Sequence, residues 1–306
     1  MIKVRSITKI YGEKKAVSDL SFSINEGEIV GLLGLNGAGK STILKILGTL
    51  LPATEGEAFI AGFSVLRHAE EVRKHIGYLP DTPPLYDEMT IRSYLEFVAK
   101  LKGVPRSQLK TSIEQALDQT NLLDVQQQKL SELSHGFRQR SNIAQALVHQ
   151  PKVLILDEPI NGLDPVQIVE MRDLILSLRK KHTVILSSHI LSEITRTCDR
   201  ILVIDQGCLV AEGTERDLRG KAEDEFDVRL EVDGDIRSIS DRLRQVDGVI
   251  SLNLVNTNSV TLICSKEIRP TLAAVVHEHG LGLLTLERRQ AELETLFLKL
   301  VRGDRA

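Results

Sequence analysis

Residues 34–42 read GLNGAGKST; the apolar run EIVGLLG (28–34) leads into them, and Leu44 and Leu47 follow at helical spacing. Buried strand, glycine loop, helix is the setting in which G-x-x-x-x-G-K-[ST] cradles phosphate. Gly37 and Gly39 allow the backbone to curl until successive N–H groups face one anion. The helix opening near Lys40 adds the positive end of its dipole. Lys40 would reach the β- and γ-phosphates of a nucleotide, and Ser41 would ligate Mg²⁺. Asn36, Gly37, Ala38, Gly39, Lys40, Ser41 and Thr42 are therefore candidate nucleotide contacts. By average residue usage, about one chain in a hundred of this length carries the pattern by chance, before its setting is counted. The stretch predicts that the protein binds a nucleoside triphosphate.

Outward from that loop the chain alternates strand and helix. The helix is expected to run from Ser41 to Leu51, where Pro52 stops it. Later, VLILDEP (153–159), HTVILSSH (182–189) and DRILVIDQG (199–207) are uninterrupted Val/Ile/Leu runs, as strands covered on both faces should be. VQIVEMRDLILSLRKK, between the first two, is helical in pattern, and this order argues for a parallel sheet. Asp157 ends its strand, where a parallel sheet gathers ligand-binding residues. It would hold Mg²⁺ directly or through water, and Glu158 is placed to polarise an attacking water. Two acids after a strand would by themselves be read as a solvated turn; beside GLNGAGKST they read as the acidic half of the same site.

Residues 81–132 differ in texture. IRSYLEFVAKLKG and SQLKTSIEQALDQTNLL read as amphipathic helices separated by Gly103 and Pro105, a helical insert in a strand-rich frame. Composition breaks again at LRGKAEDEFD (218–227). Beyond it come an alternating strand, a helix through Ile236, Ile239, Leu243 and Val246, two strands around an NTN turn, a helix through Leu272, Val275 and Val276, and a short strand near Leu283. ELETLFLKL reads as a last helix. The order βαββαβ is the ferredoxin-like pattern. The expectation is an α/β chain with two domains: residues 1–219 around the nucleotide site, with a helical subdomain at about 81–149, and residues 220–306 as a small α+β domain.

The bulk numbers narrow the class. A formal charge of −3 over 306 residues argues against a nucleic-acid partner. Cys198, Cys208 and Cys264 are too few and scattered for a disulfide framework or zinc site. MIKVRSITKIYG lacks the apolar core of a secretory signal, and no apolar run approaches the roughly 20 residues that cross a bilayer. The cytoplasm is the expected location, with any membrane crossing left to another chain. His277 and His279 have no clustered ligand beside them and read as a solvated helix end. Lys180 and Lys181 read as helix-end charges, and the cysteines as inert.

One further stretch is LSHGFRQR (133–140). Locally it is a helix start, with Ser134 as N-cap, Gly136 as a turn residue and Arg138 and Arg140 near the surface. The ordered set GLNGAGKST, LSHGFRQR, VLILDEP, NGLDP and SSH resembles the nucleotide-binding domain of ABC-type ATPases over residues 1 to about 217. The spacings fit: Ser134 lies 94 positions after Lys40, Asp157 a further 23, and His189 a further 32. The resemblance implies a P-loop ATPase core, with a mostly parallel sheet, an antiparallel β subdomain and a helical subdomain, binding ATP and Mg²⁺. It implies that Tyr11 stacks on adenine, that His189 contacts the γ-phosphate, and that Asp164 sits at a dimer seam. It also implies that Ser134 and the Gly136 backbone cap the γ-phosphate of ATP held by a second, like subunit, so that a homodimer sandwiches two nucleotides.

Two departures stand out. The family signature LSGGQ has His135 and Phe137 in place of a glycine and the glutamine, and Asp81 stands where Gln commonly contacts Mg²⁺ and the attacking water. Asp can bind metal but is shorter and charged, so it would orient water differently. GYLPD-x-PPLY-x-x-MT, the RQR ending and ELETLFLKL look like ATPase subunits of type-2 exporters, in the gliding-motility and multidrug-like group. Such subunits pair with separate membrane-spanning permease chains, on which residues 81–132 would dock from the cytoplasmic face, with Asp81 at the hinge. The alternatives are a soluble ABC ATPase acting on ribosomes or DNA, disfavoured by one set of motifs and near-neutral charge, and an importer ATPase with a regulatory tail.

Overall fold

Five parallel strands line up as Arg200–Asp205, Ile29–Leu33, Thr183–Ser188, Val153–Leu156 and Ile76–Leu79, with Cys208–Gly213 antiparallel at one edge. This computed structural model describes residues 1–179, 181–220 and 226–289, and the chain divides into two compact units, Met1–Glu215 and Arg216–Ala306. Ile29–Leu33, Val153–Leu156 and Thr183–Ser188 are buried along their whole length, which is why they read as unbroken apolar runs. Register sets Leu33 beside Ser188 and Leu156 beside Leu186. The residues just past each strand end, Gly34, Asp157 and His189, therefore emerge at the same edge of the sheet.

A second sheet, antiparallel, orders Lys14–Ile24, Ile2–Tyr11, Glu55–Ile60 and Phe63–Ser64. Between the two sheets lies the helix Lys40–Leu47, whose Ile43, Leu44, Ile46 and Leu47 join the core formed by Ile2, Val17, Leu20, Val30 and Ile155. This helix stops four residues short of the expected Leu51. The Gly48 N–H closes onto the Leu44 carbonyl at 2.7 Å, and Thr49 then turns the chain through the left-handed region at φ 60°. Leu51 still packs on the same core, but from the loop, so its helical spacing did not mark helix.

The insert forms its own apolar cluster. Helices Ile91–Leu101 and Leu109–Gln119 pack Ile91, Leu95, Ile113 and Leu117 with Ala144 and Val148. Thr90 caps the first helix, its hydroxyl accepting from Ser93 N, and Gly103 at φ 76° carries the chain out of it. The 13-residue helix His135–Leu147 starts at Ser134, as its sequence suggests. Gly136, expected as a turn residue, is instead inside the first helical turn and buried; a Cβ there would lie 2.8 Å from the Gln167 side chain. The glycine serves close approach of two segments, not a bend.

In the second unit, Val249–Leu254, Ser259–Cys264, Phe226–Asp233 and Gly282–Arg289 form a fully antiparallel sheet in that order. Numbered within the unit this is 2-3-1-4, the ferredoxin-like arrangement. Val228, Leu230, Val260 and Leu262 face the helix Arg269–Glu278 through Leu272 and Val276. The first connecting helix is tighter than expected, a 3₁₀ turn over Ile236–Ile239 continuing as Ser240–Arg244. The strand near Leu283 is longer, at eight residues. The expected helix ELETLFLKL and Lys180 lie outside the described residues. No helix among the described residues is long and apolar enough to cross a membrane.

Candidate nucleotide site

The loop after Ile29–Leu33 is braced from outside. Ala38 N donates to the Leu35 carbonyl (3.1 Å), and the Ala38 carbonyl accepts from Gly207 N (2.9 Å). Gly39 sits at φ 107°, and a Cβ on it would lie 2.6 Å from the Ala16 carbonyl, so this position excludes a side chain on both counts. Ala38 itself is buried and works as a brace rather than as part of the cleft wall.

Above the loop opens a cleft of about 650 Å³ lined by Tyr11, Asn36, Lys40, Asp81, Glu158 and His189 among others. Gly37, Gly39, Ser41 and Thr42 also line it. Tyr11 ends its strand 45% exposed, with the Lys9 ammonium 5.3 Å from the ring centre. Asp81 is exposed just beyond Ile76–Leu79.

The chemistry gathers at the floor. Lys40 Nζ donates to the Gly34 carbonyl at 2.7 Å and lies 3.4 Å from the Glu158 carboxylate. His189 Nδ1 stands 3.0 Å from the other Glu158 oxygen. Ser41 and Ser187 hydroxyls both donate to Oδ1 of Asp157, at 3.2 and 2.7 Å. Burial pushes the Asp157 carboxyl above the usual carboxylate range; the two hydroxyl bonds pull the other way, and Asp81 and Glu158 add repulsion. Glu158 occupies the left-handed region at φ 49°, strained for a residue with a side chain, and its N–H is held by Ser187 Oγ at 2.8 Å.

Ser41, Asp157 and Asp81 offer only oxygen donors, two of them carboxylates, which suits a small hard cation that keeps water and phosphate as its other ligands. No cluster of three or more His, Cys, Asp or Glu side chains able to hold a metal by themselves occurs among the described residues.

Ser134, Gly136 and Asp164 are not part of this cleft. Ser134 is exposed at its helix start, its hydroxyl accepting a long bond from Phe137 N at 3.5 Å. Asp164 caps the helix Pro165–Ser177 by accepting from Val166 N and Gln167 N at 3.0 and 2.9 Å. Arg138 and Arg140 are tied to Asp87 and Glu170 rather than presented to an anion.

Three residues escaped the sequence reading. Ser187 links Asp157 to the Glu158 backbone; the SSH run contained it, but only its neighbour on the adjacent strand end gives it a role. Lys14 and Asn161 line the cleft, the first from the antiparallel sheet and the second from the NGLDP turn.

Comparison with known proteins agrees with this geometry. A protein-family model, ABC transporter, matches residues 17–161. The linearmycin resistance ATP-binding protein LnrL of Bacillus subtilis (strain 168) is 32% identical over 98% of this chain and 98% of its own length. The bacitracin transport ATP-binding protein BcrA of Bacillus licheniformis is 32% identical over 99% and 98%. Among solved structures, an ATP-binding subunit of an ABC transporter is 30% identical, with TM-score 0.65, over 72% of this chain and 93% of that one. The dimeric bacterial ABC transporter cassette MJ0796 is 28% identical, with TM-score 0.64, over 70% and 98%. Loop, acidic strand end and strand-end histidine meet at one sheet edge, and relatives match over nearly the whole length: the chain belongs to the ATP-binding subunits of ABC transporters and is an ATPase.

Proposed function

We propose that this ATPase drives an exporter, working as a pair of like subunits on separate membrane-spanning chains at the cytoplasmic face of the membrane. The observation that carries the reading is the convergence of Lys40, Glu158 and His189 within one cleft, together with an exposed helix start at Ser134 that lies outside it. A helix N-terminus that does not serve its own cleft is free to serve a partner's. The names of two whole-length relatives, one for resistance and one for bacitracin transport, support outward movement of a toxic compound.

The residues divide the work. Loop N–H groups and Lys40 bind and orient the phosphates, and Tyr11 offers a ring face to the base. Ser41, Asp157 and Asp81 would hold Mg²⁺, which would supply positive charge against the phosphates. Glu158 takes the proton of the attacking water, while Ser187 and His189 fix its backbone and carboxylate. In this reading His189 contacts the γ-phosphate and Asp164 shapes the dimer seam; in support, His189 lines the cleft and Asp164 holds the start of its helix. ATP closes the dimer only to the extent that it binds the closed state more tightly.

The helical insert, residues 81–132, is the docking element. Tyr86, Phe97 and Leu101 form an exposed apolar cluster on it, with the Tyr86 and Phe97 rings 5.4 Å apart. Residues from about 220 onward act as an accessory domain, and the GYLPD and RQR features favour the type-2 gliding-motility and multidrug-like group. The test is purification of tagged chain from detergent-solubilised membranes. A stoichiometric multi-span membrane protein is expected; bound RNA or DNA without one overturns the reading.

A further inference from the structure

The signature helix and the loop that follows Glu158 are tied together within this one chain. Gln139 Nε2 donates to the Pro159 carbonyl at 2.9 Å in a buried setting. Gly136 lies against the Gln167 side chain so closely that no Cβ fits between them. The third tie comes from a residue the family signature does not have. His135 Nε2 lies 3.3 Å from the Asn161 carbonyl, and the same nitrogen would be 3.1 Å from a Cβ on Gly162. Asn161 in turn donates its N–H to the Glu158 carbonyl at 3.1 Å and lines the nucleotide cleft. A path of direct contacts thus runs from the exposed start of the signature helix to the residue read as the base.

We infer that His135 is a positioning residue which, by donating from Nε2 to the Asn161 carbonyl, couples engagement of Ser134–Gly136 on a partner's triphosphate to the placement of Glu158 in its own cleft. This rests on the paired-subunit reading above. A glycine at position 135 leaves the Asn161 carbonyl without this donor, so of the two side-chain hydrogen bonds that run from this helix to the loop after Glu158 only that of Gln139 remains. The inference concerns transmission between two nucleotide sites rather than binding at either. The imidazole reaches no other described group in the cleft, and its bond is to backbone, so any side chain that supplies an N–H donor at similar reach can replace it.

The test compares His135→Gly, His135→Gln and the unaltered chain at saturating and graded ATP. Loss of one hydrogen bond should lower kcat about fivefold. The Hill coefficient of ATPase activity should fall toward one, while the affinity for a fluorescent ATP analogue stays as in the unaltered chain. His135→Gln should recover most of both kinetic losses. A merely structural histidine would move Tm and leave the Hill coefficient in place. Unchanged kcat and Hill coefficient in His135→Gly, or a His135→Gln as impaired as His135→Gly, overturns the inference. Size-exclusion chromatography of Glu158→Gln with ATP separates the two levels: a dimer there with no His135 effect sinks this inference alone, whereas no dimer sinks the paired reading and this inference with it.

Discussion

The Lys40 ammonium lies 3.4 Å from one oxygen of Glu158, and Nδ1 of His189 lies 3.0 Å from the other. Both Lys40 and Glu158 side chains are nearly enclosed, at 5% and 10% exposure. The group that would grip the phosphates and the group that would deprotonate water therefore share a single buried contact. On the proposed reading, an incoming triphosphate would compete with Glu158 for Lys40 and so free the carboxylate to face water when substrate binds.

Glu158→Gln keeps the shape of the side chain and removes its basicity. Turnover should fall by about 10²–10⁴, with ATP still bound and an ATP-dependent dimer that persists. Single-turnover hydrolysis and size-exclusion chromatography measure the two arms, and wild-type turnover would remove Glu158 from its assigned role.

Asp157→Asn should stabilise the nucleotide-free protein while destroying activity. Burial raises the folded carboxyl above its unfolded value, so its contribution to stability is greatest below the unfolded pKa and is lost as pH rises toward the folded one. At neutral pH the ionised group is the costly form. Asparagine keeps Oδ1, the atom that accepts from both Ser41 and Ser187. A higher Tm at pH 7, gaining about 2–4 °C per kcal/mol relieved, and a gain that shrinks in acid are expected in thermal melts. A lower Tm at pH 7 would refute the desolvation account.

His149 makes the fold acid-sensitive. Its Nε2 meets the Ile76 carbonyl at 2.9 Å, its Nδ1 is buried without a partner, and burial lowers its pKa to about 4. The neutral ring's contribution is intact above the unfolded value near 6.5 and is lost as pH falls toward 4. Chemical denaturation should show stability dropping across that window, and His149→Gln should flatten the drop. His182 and His75 shift in the same direction, so part of the slope should remain.

Gly39→Ala combines left-handed backbone strain with a contact 2.6 Å from the Ala16 carbonyl. Strain of this kind alone is worth about 1–3 kcal/mol. Both Tm and nucleotide affinity should fall, because the loop cannot keep its N–H groups aimed inward. Retained affinity, measured by fluorescence titration with an ATP analogue, would show that the loop tolerates a side chain there.

Ser134→Arg places a bulky cation on an exposed helix start whose capping bond is already long at 3.5 Å. The stability loss should sit near the low end of the cap range, about 0.5 kcal/mol. ATP binding at Lys40 should persist while dimer closure and hydrolysis are lost. Normal ATPase activity in that variant would leave Ser134 as a helix cap and nothing more.

Much of this was readable from the chain. GLNGAGKST and the strands around it are local patterns, and local patterns fix local backbone: uninterrupted apolar runs must be covered on both faces, and a glycine loop between strand and helix must turn N–H groups inward. The βαββαβ order of the second unit was legible for the same reason, since alternation and helical spacing change wherever the element type changes. Where only one-dimensional spacing was available, it misled. Leu51 kept helical phase yet reaches the core from a loop, because Thr49 turns the chain first. Gly136 looked like a turn and is a contact surface for Gln167, 31 positions away.

The sequence by itself determined that a phosphate loop, an acidic strand end and a strand-end histidine exist in this chain. Only the tertiary structure decided how they are joined. Strand register brings Ser187 beside Asp157 and the Glu158 N–H, and helix packing brings His135 to Asn161, pairs 30, 29 and 26 positions apart. Hydrogen bonds depend on distances of tenths of an ångström between groups whose neighbourhood is set by the packing of the whole core, and no run of adjacent residues carries that information.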